Sequence, residues 1–209
     1  RDPQLLDRLI GLKRDQYART GRHDIFDCGW TRDLLHGLMQ PGGEDDFAGS
    51  MTAMWSGEEL LAVEYSLHAG QHYHFWFPTY VPNKARCSPG ILLTLDLMRL
   101  ACDKGYRTFD FGFCGEGYKK YFCNANQMVS EAVVRQPGLT SGLKKAAVSM
   151  LNTAGQQRGT RLMTSVRRRW GAIEACETTQ IDRIRGAVSA AGVALQKAST
   201  SNSSKARVA

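Results

Sequence analysis

Between His72 and Phe122 the chain gathers the residue types that proton transfer and anion binding require. In HYHFWFPTY, alternation puts His72, His74 and Trp76 on one face of a strand and Tyr73, Phe75 and Phe77 on the other. Two histidines at i, i+2 can ligate a metal, act as a general base, or serve as hydrogen-bonded sheet residues. No carboxylate or cysteine stands nearby at matching spacing, so a metal site is not expected. The run Arg86-Cys87-Ser88-Pro89-Gly90 then delivers the chain to a helix, with Ser88 placed as N-cap and Pro89 as first helical residue. Free N–H groups in a first turn and the positive end of the helix dipole suit a phosphate, and Arg86 adds a guanidinium. A plain capped helix start accounts for the same residues equally well. Asp110 lies among the aromatics of YRTFDFG, and Glu116, Tyr118, Lys119 and Lys120 crowd the glycine-rich GEGYKKYF that follows.

Several elements must position these groups. Leu5, Leu6, Leu9, Ile10, Leu12 and Tyr17 fit the apolar stripe of a first helix. Thr31 is placed to cap a second helix that ends near Gln40. Three runs with strand character follow, Phe47–Met54, Leu60–Leu67 and His72–Tyr80, joined at Ser56-Gly57 and Ala69-Gly70 as hairpins. The helix opened by Ser88 buries Ile91, Leu92, Leu95, Met98 and Cys102 and closes at Lys104-Gly105. A short strand over residues 106–112 follows, then a short helix, and Gln127–Val134 resumes strand character. The expected class is therefore α+β, with a mostly antiparallel sheet flanked by helices.

Composition limits the alternatives. The chain has 209 residues, 43% of them hydrophobic and 22% charged, which suits a sizeable core. No run approaches the apolar length of a membrane span. The chain begins RDPQ, without a methionine or a signal-like apolar core, and is expected to be a piece of a longer product. Six cysteines form no C-x-x-C pair, which favours isolated thiols in a reducing cytoplasm. The net charge of +7 is uneven. Residues 1–136 carry 15 basic against 17 acidic side chains, and residues 137–209 carry 12 against 3. A shift of that kind marks a boundary, placed at Pro137-Gly138, between a domain over 1–136 and a basic tail over 137–209.

The combination HFWFPTYVPNKARCSPGILLTLDLMRLACDKGYRTFDFGFCGEGYKKYF resembles the acetyltransferase domain of the CelD family. That family is associated with bacterial cellulose and exopolysaccharide biosynthesis and belongs to the GNAT superfamily, near the FemAB peptidyltransferases. The resemblance rests on SPG-x-LL, the FDFG strand and the Y-K-K after it, in that order. It implies a GNAT-like fold in which strands His72–Tyr80 and Thr108–Gly112 splay apart to admit the pantetheine of acetyl-CoA. It implies that Arg86, Ser88, Gly90 and Ile91 hold the donor's pyrophosphate, with the N–H groups of Gly90 and Ile91 as donors. Transfer to an amine then needs a base and an acid. Tyr118 matches the position of the acid, while Asp110, Glu116 and the His72/His74 pair are the candidates for the base. Asp110 has a second reading, fixing the glycine corner by accepting N–H bonds. Lys119 either meets a phosphate or acidic substrate or is a solvated lysine. Family members usually hold two GNAT-like halves, so a missing N-terminal half is an expected partner. A single glycine in the phosphate turn, where GNAT enzymes have several, leaves room for an aminoacyl-tRNA donor of the FemAB kind.

The tail reads as three amphipathic helices. One face holds Leu139, Leu143, Ala146, Ala147, Met150, Leu151 and Ala154; the next holds Leu162, Val166, Trp170 and Ile173; the last holds Ile181, Ile184, Val188, Ala191 and Leu195. Lys144-Lys145 and Arg167-Arg168-Arg169 make it basic, so it suits packing on the domain or a missing half, an anionic membrane surface or RNA, and the CelD resemblance adds a polysaccharide-synthesis complex as a partner. From about residue 197 the chain has a disordered composition. Two functions follow as expectations: an N-acyltransferase acting on a small amine or amino sugar, and a non-catalytic GNAT-like assembly module. Nucleic acid is not the expected partner, and the expected place is the cytoplasm, with the inner face of the membrane as an option.

Overall fold

The computed structural model describes residues 2–40, 47–112, 117–130, 170–188 and 192. The chain divides into two compact units, Arg1–Glu116 with Ala190–Ala209, and Gly117–Ser189.

In the first unit, helix α1 (Pro3–Thr20) begins behind Asp2, whose carboxylate accepts the N–H groups of Gln4 and Leu5. It ends on Gly21 in the left-handed conformation. Its Leu6, Leu9, Ile10 and Tyr17 are buried, as the apolar stripe requires. Helix α2 (Trp30–Leu38) starts differently from the sequence expectation. Gly29, at φ 62°, takes the N-cap position, and the Thr31 hydroxyl instead donates to the Ile25 carbonyl at 2.6 Å. A positive φ is open to glycine at little cost, and that sets the helix start ahead of the threonine.

The sheet contains β1 (Ala48–Ser56), β2 (Glu59–Ala69), β3 (His72–Phe75), β4 (Thr79–Tyr80) and β5 (Thr108–Asp110). Its order is β1-β2-β3-β5, with β4 also on β2. The β1, β2, β3 and β4 pairings are antiparallel, and only β5 runs parallel to its neighbour β3. The α+β class with a mostly antiparallel sheet is thus as expected. So are the hairpin turns, where Gly57 and Gly70 take positive φ.

The run expected as one strand, His72–Tyr80, is interrupted. The Trp76 and Phe77 N–H groups both reach the Tyr65 carbonyl, at 3.3 and 2.9 Å. Ser66 faces Phe75 before this point and Val63 faces Thr79 after it, so β3 and β4 are separated by one extra residue, a β-bulge. Two consecutive rings, Trp76 and Phe77, stack at 4.4 Å as a result.

The main core joins Leu6, Leu9, Ile10, Tyr17, Phe26, Leu35 and Met39 to Leu60, Val63, Tyr65 and Phe77. Tyr65 is fully buried and donates its hydroxyl to the Leu35 carbonyl at 2.8 Å. Gly49 lies beneath it: a Cβ there would fall 2.6 Å from the Tyr65 Cζ. Because the ring is locked by its hydrogen bond and surroundings, Gly49→Ala is expected to destabilise the domain by about 1–3 kcal/mol or more. Urea unfolding measures this, and an unchanged midpoint contradicts the packing described.

Helix α3 (Pro89–Asp103) packs against β1, β2 and β4. It buries Pro89, Leu93, Thr94, Leu97 and Ala101, not the stripe of Ile91, Leu92, Leu95, Met98 and Cys102. Leu92 and Leu95 are exposed. Thr94 can be buried because its hydroxyl donates to the Gly90 carbonyl at 2.8 Å. The helix closes at Lys104-Gly105 as expected, with Tyr106 N–H returning to the Ala101 carbonyl.

In the second unit, a 3-10 turn covers Lys119–Tyr121. The strand expected from Gln127 is absent over residues 127–130, where Met128 and Val129 are exposed. With no apolar face buried there, nothing favours strand pairing over solvent. Residues 170–176 and 180–188 are helical. They include Trp170 and Ile173 of the second expected tail face and Ile181, Ile184 and Val188 of the third, the last three exposed. The rest of the tail faces, Lys144-Lys145, Arg167-Arg168-Arg169, the end from residue 197 and Glu116 lie outside the described residues. Among the described residues no helix is long and apolar enough to cross a membrane.

Candidate active site

The parallel pairing of β3 with β5 decides which side chains meet. Its register sets His72 against Thr108, Tyr73 against Phe109 and His74 against Asp110. Residues opposed in this way share a face, and His74 Nδ1 lies 2.9 Å from Asp110 Oδ2. The other carboxylate oxygen accepts the Gly112 N–H at 2.7 Å. Asp110 thus fixes the glycine corner and holds His74 as well. Gly112 has φ 70°, and a Cβ on it would come 3.2 Å from His74 Cε1. The corner therefore needs glycine both for its backbone and for the imidazole beside it. His74 is one-third exposed, and among the described residues nothing bonds its Nε2. With Asp110 accepting from Nδ1–H, the tautomer assigned by this geometry leaves the Nε2 lone pair available. His72, two residues earlier, is exposed.

The opposite face of the same pairing is aromatic. Tyr73 stacks on Phe109 at 5.1 Å, and Phe75 lies 5.7 Å from Phe109 and 5.5 Å from Phe111. These rings fix the two strands side by side over His72–His74 and Thr108–Asp110. Any separation of the strands that were expected to splay begins only beyond those residues. There β3 enters its bulge and the other chain turns at Gly112.

The turn into α3 differs in detail from the expected phosphate cradle. Pro82–Cys87 form a 3-10 helix and Ser88 takes a left-handed conformation, at φ 50° the single positive-φ non-glycine residue among those described. Ser88 holds the N-cap position, but its side chain makes no capping bond. The Ile91 N–H, expected to point at a ligand, bonds the Ser88 carbonyl at 3.0 Å. The same carbonyl accepts the Leu92 N–H at 3.2 Å, so it closes the first turn of the helix. Gly90 N–H has no backbone partner among the described residues. A side chain at Gly90 would meet the Tyr80 ring at 3.5 Å. Arg86 is exposed and has no ion pair among the described residues. Arg86 and Gly90 therefore fit an anion, Ser88 offers a hydroxyl, and Ile91 drops out of the donor set.

Tyr118 and Lys119 belong to the second unit. Tyr118 stands at the start of the 3-10 turn with its ring 6.4 Å from that of Phe122, and Lys119 is the turn's first residue.

One further group was not among the candidates. Glu64, on the middle strand, is fully buried with Ser66 beside it, and both oxygens are engaged. Ser66 Oγ bonds Oε1 and Tyr73 Oη bonds Oε2 at 3.3 Å. Burial pushes its carboxyl up to about 8, against the opposing pull of Ser66, Tyr73 and the Trp76 backbone. Burial also raises the Tyr73 hydroxyl, with the Glu64 charge adding to the effect. A single acid inside LLAVEYSL, on the same strand face as Ala62 and Ser66, is the sequence feature that marks it.

The acetyltransferase (GNAT) domain family model matches residues 1–120, and the chain belongs to that family. Domains of this kind generally transfer an acyl group from acyl-CoA. No curated protein and no solved structure matches the chain significantly.

Proposed function

We propose that the chain is an N-acyltransferase that moves an acyl group, preferentially acetyl, from acyl-CoA to an amine. The observation that carries this reading is the His74–Asp110 pair, an oriented imidazole with an available Nε2 beside a glycine corner. His74 is the base: Nε2 takes the proton of the attacking amine, and Asp110 steadies the imidazolium that forms. Bound acyl-CoA supplies the activated thioester, and Arg86, Ser88 and Gly90 are the residues suited to its phosphates. Tyr118 is the proposed acid, and Lys119 a proposed contact to donor or acidic substrate, both on the strength of the Y-K-K resemblance. A small amine or amino sugar in exopolysaccharide synthesis is the acceptor that the CelD resemblance favours.

Binding of the donor is the first test. Acetyl-CoA at about 100 times its Kd is expected to stabilise the protein by about 2.7 kcal/mol. Thermal unfolding measures the shift, and Arg86→Ala is expected to reduce it sharply. No shift, with Arg86→Ala unchanged from wild type, removes the acyl-CoA reading. The loss of Ile91 as a phosphate donor is the observation that keeps a second reading, aminoacyl transfer from tRNA. Stabilisation by charged tRNA without any by acetyl-CoA selects it.

A further inference from the structure

Glu64 grips the chain on both sides of His74. Through Oε2 it meets Tyr73, one residue before the imidazole, and the Trp76 backbone lies against the carboxyl two residues after it. Ser66 closes the other oxygen. Tyr73 in turn stacks on Phe109, the residue before Asp110. One buried carboxyl thus anchors the strand pairing that sets His74 Nδ1 2.9 Å from Asp110, and it also anchors the bulge that follows. We propose that Glu64 is the positioning residue of the transfer site, and that its neutral form holds the His74 strand in its working register. This rests on the base role given to His74 above.

The surroundings make the protonation state matter. Among the described residues, Tyr73 is the one titratable group bonded to the carboxyl, and burial keeps its hydroxyl protonated. Thr52 is the direct cross-strand neighbour on β1. The residues that α3 buries, Pro89, Leu93, Thr94, Leu97 and Ala101, include no titratable side chain. A neutral carboxyl can donate one hydrogen bond and accept others within such a shell. Once ionised, it meets no cation among the described residues, and a buried charge without a partner drives the surrounding backbone to rearrange. The group that rearranges is the strand segment 73–76, which carries the imidazole.

The test compares wild type with Glu64→Gln, which keeps the shape and a hydrogen-bonding head but cannot ionise. Turnover of both is measured from pH 6 to 9.5, and the ratio of wild type to Glu64→Gln cancels the titration of the substrate. The ratio is expected to be flat at the acid end and to fall by about tenfold per pH unit above the carboxyl's midpoint. A ratio that stays flat throughout overturns the proposal. A second readout does not need catalysis. The His74 imidazole resonances, assigned by their loss in His74→Gln, should shift with the Glu64 ionisation in wild type and lose that transition in Glu64→Gln. If His74→Gln retains turnover, the base assignment fails while this resonance test still decides the positioning role. Identical imidazole titrations in the two proteins overturn it.

Discussion

His74→Gln is expected to lower acyl-transfer turnover by about 10²- to 10⁴-fold while leaving acetyl-CoA binding intact. Glutamine cannot take the amine proton, yet it can still donate to Asp110, so strand pairing should survive. Release of free thiol measures turnover, and thermal shift with acetyl-CoA measures binding. Asp110→Asn should fall in the same direction, because an amide oxygen in place of the carboxylate stabilises the imidazolium poorly and an amide nitrogen there favours the wrong tautomer. Loss of donor binding together with turnover would place His74 in a structural role. Unchanged turnover would remove His74 from the chemistry, whereas absence of turnover in wild type itself would favour the reading of this chain as a non-catalytic assembly module.

Wild type should lose stability steadily as pH rises from about pH 5 to 8, and Glu64→Gln should not. An unfolded chain ionises Glu64 near the ordinary glutamate value of 4.5, whereas the folded protein keeps it protonated to about 8. The folded pKa is raised, so the unfolded state binds fewer protons between those values, and the slope of stability with pH is negative. The contribution is fully present below the lower value and gone above the higher one. The expected loss is roughly 1 kcal/mol per pH unit inside that window. Urea midpoints for both proteins at half-unit steps measure it. Subtracting the variant from wild type removes the other carboxylates, and equal slopes would show that the burial of Glu64 does not hold in solution.

The sequence was most informative where one physical choice dominated. In α1 the residues Leu6, Leu9 and Ile10 form a single apolar stripe, and the helix could bury only that side. Helix α3 is apolar nearly all round, so Leu92 and Leu95 competed with Leu93 and Leu97, and packing on the sheet decided between them. The bulge was hidden because HYHFWF alternates without a break. Pro78, which cannot donate to a ladder, was the one local hint. His74 and Asp110 were each visible by residue type. Their meeting was not, since a parallel register between segments 36 residues apart arises only in the folded chain. Ser88 was correctly placed at the helix start, but its left-handed backbone has no local signature outside glycine.

The extra residue at Trp76–Phe77 has a consequence for how this chain can change. Phe75 shares a face with Ser66, yet Thr79 shares a face with Val63 on the opposite side of the sheet. Odd-numbered positions therefore swap layers between 75 and 79. The strand delivers rings to both hydrophobic layers, with Phe77 in the main core. Losing Trp76 would close the bulge into a regular ladder, with Phe77 still opposite Tyr65 and Thr79 still opposite Val63. What would go is the backbone group that lies against the buried Glu64 carboxyl. A version of this chain that dispenses with the acid at position 64 should therefore also be free to dispense with the extra residue at 76.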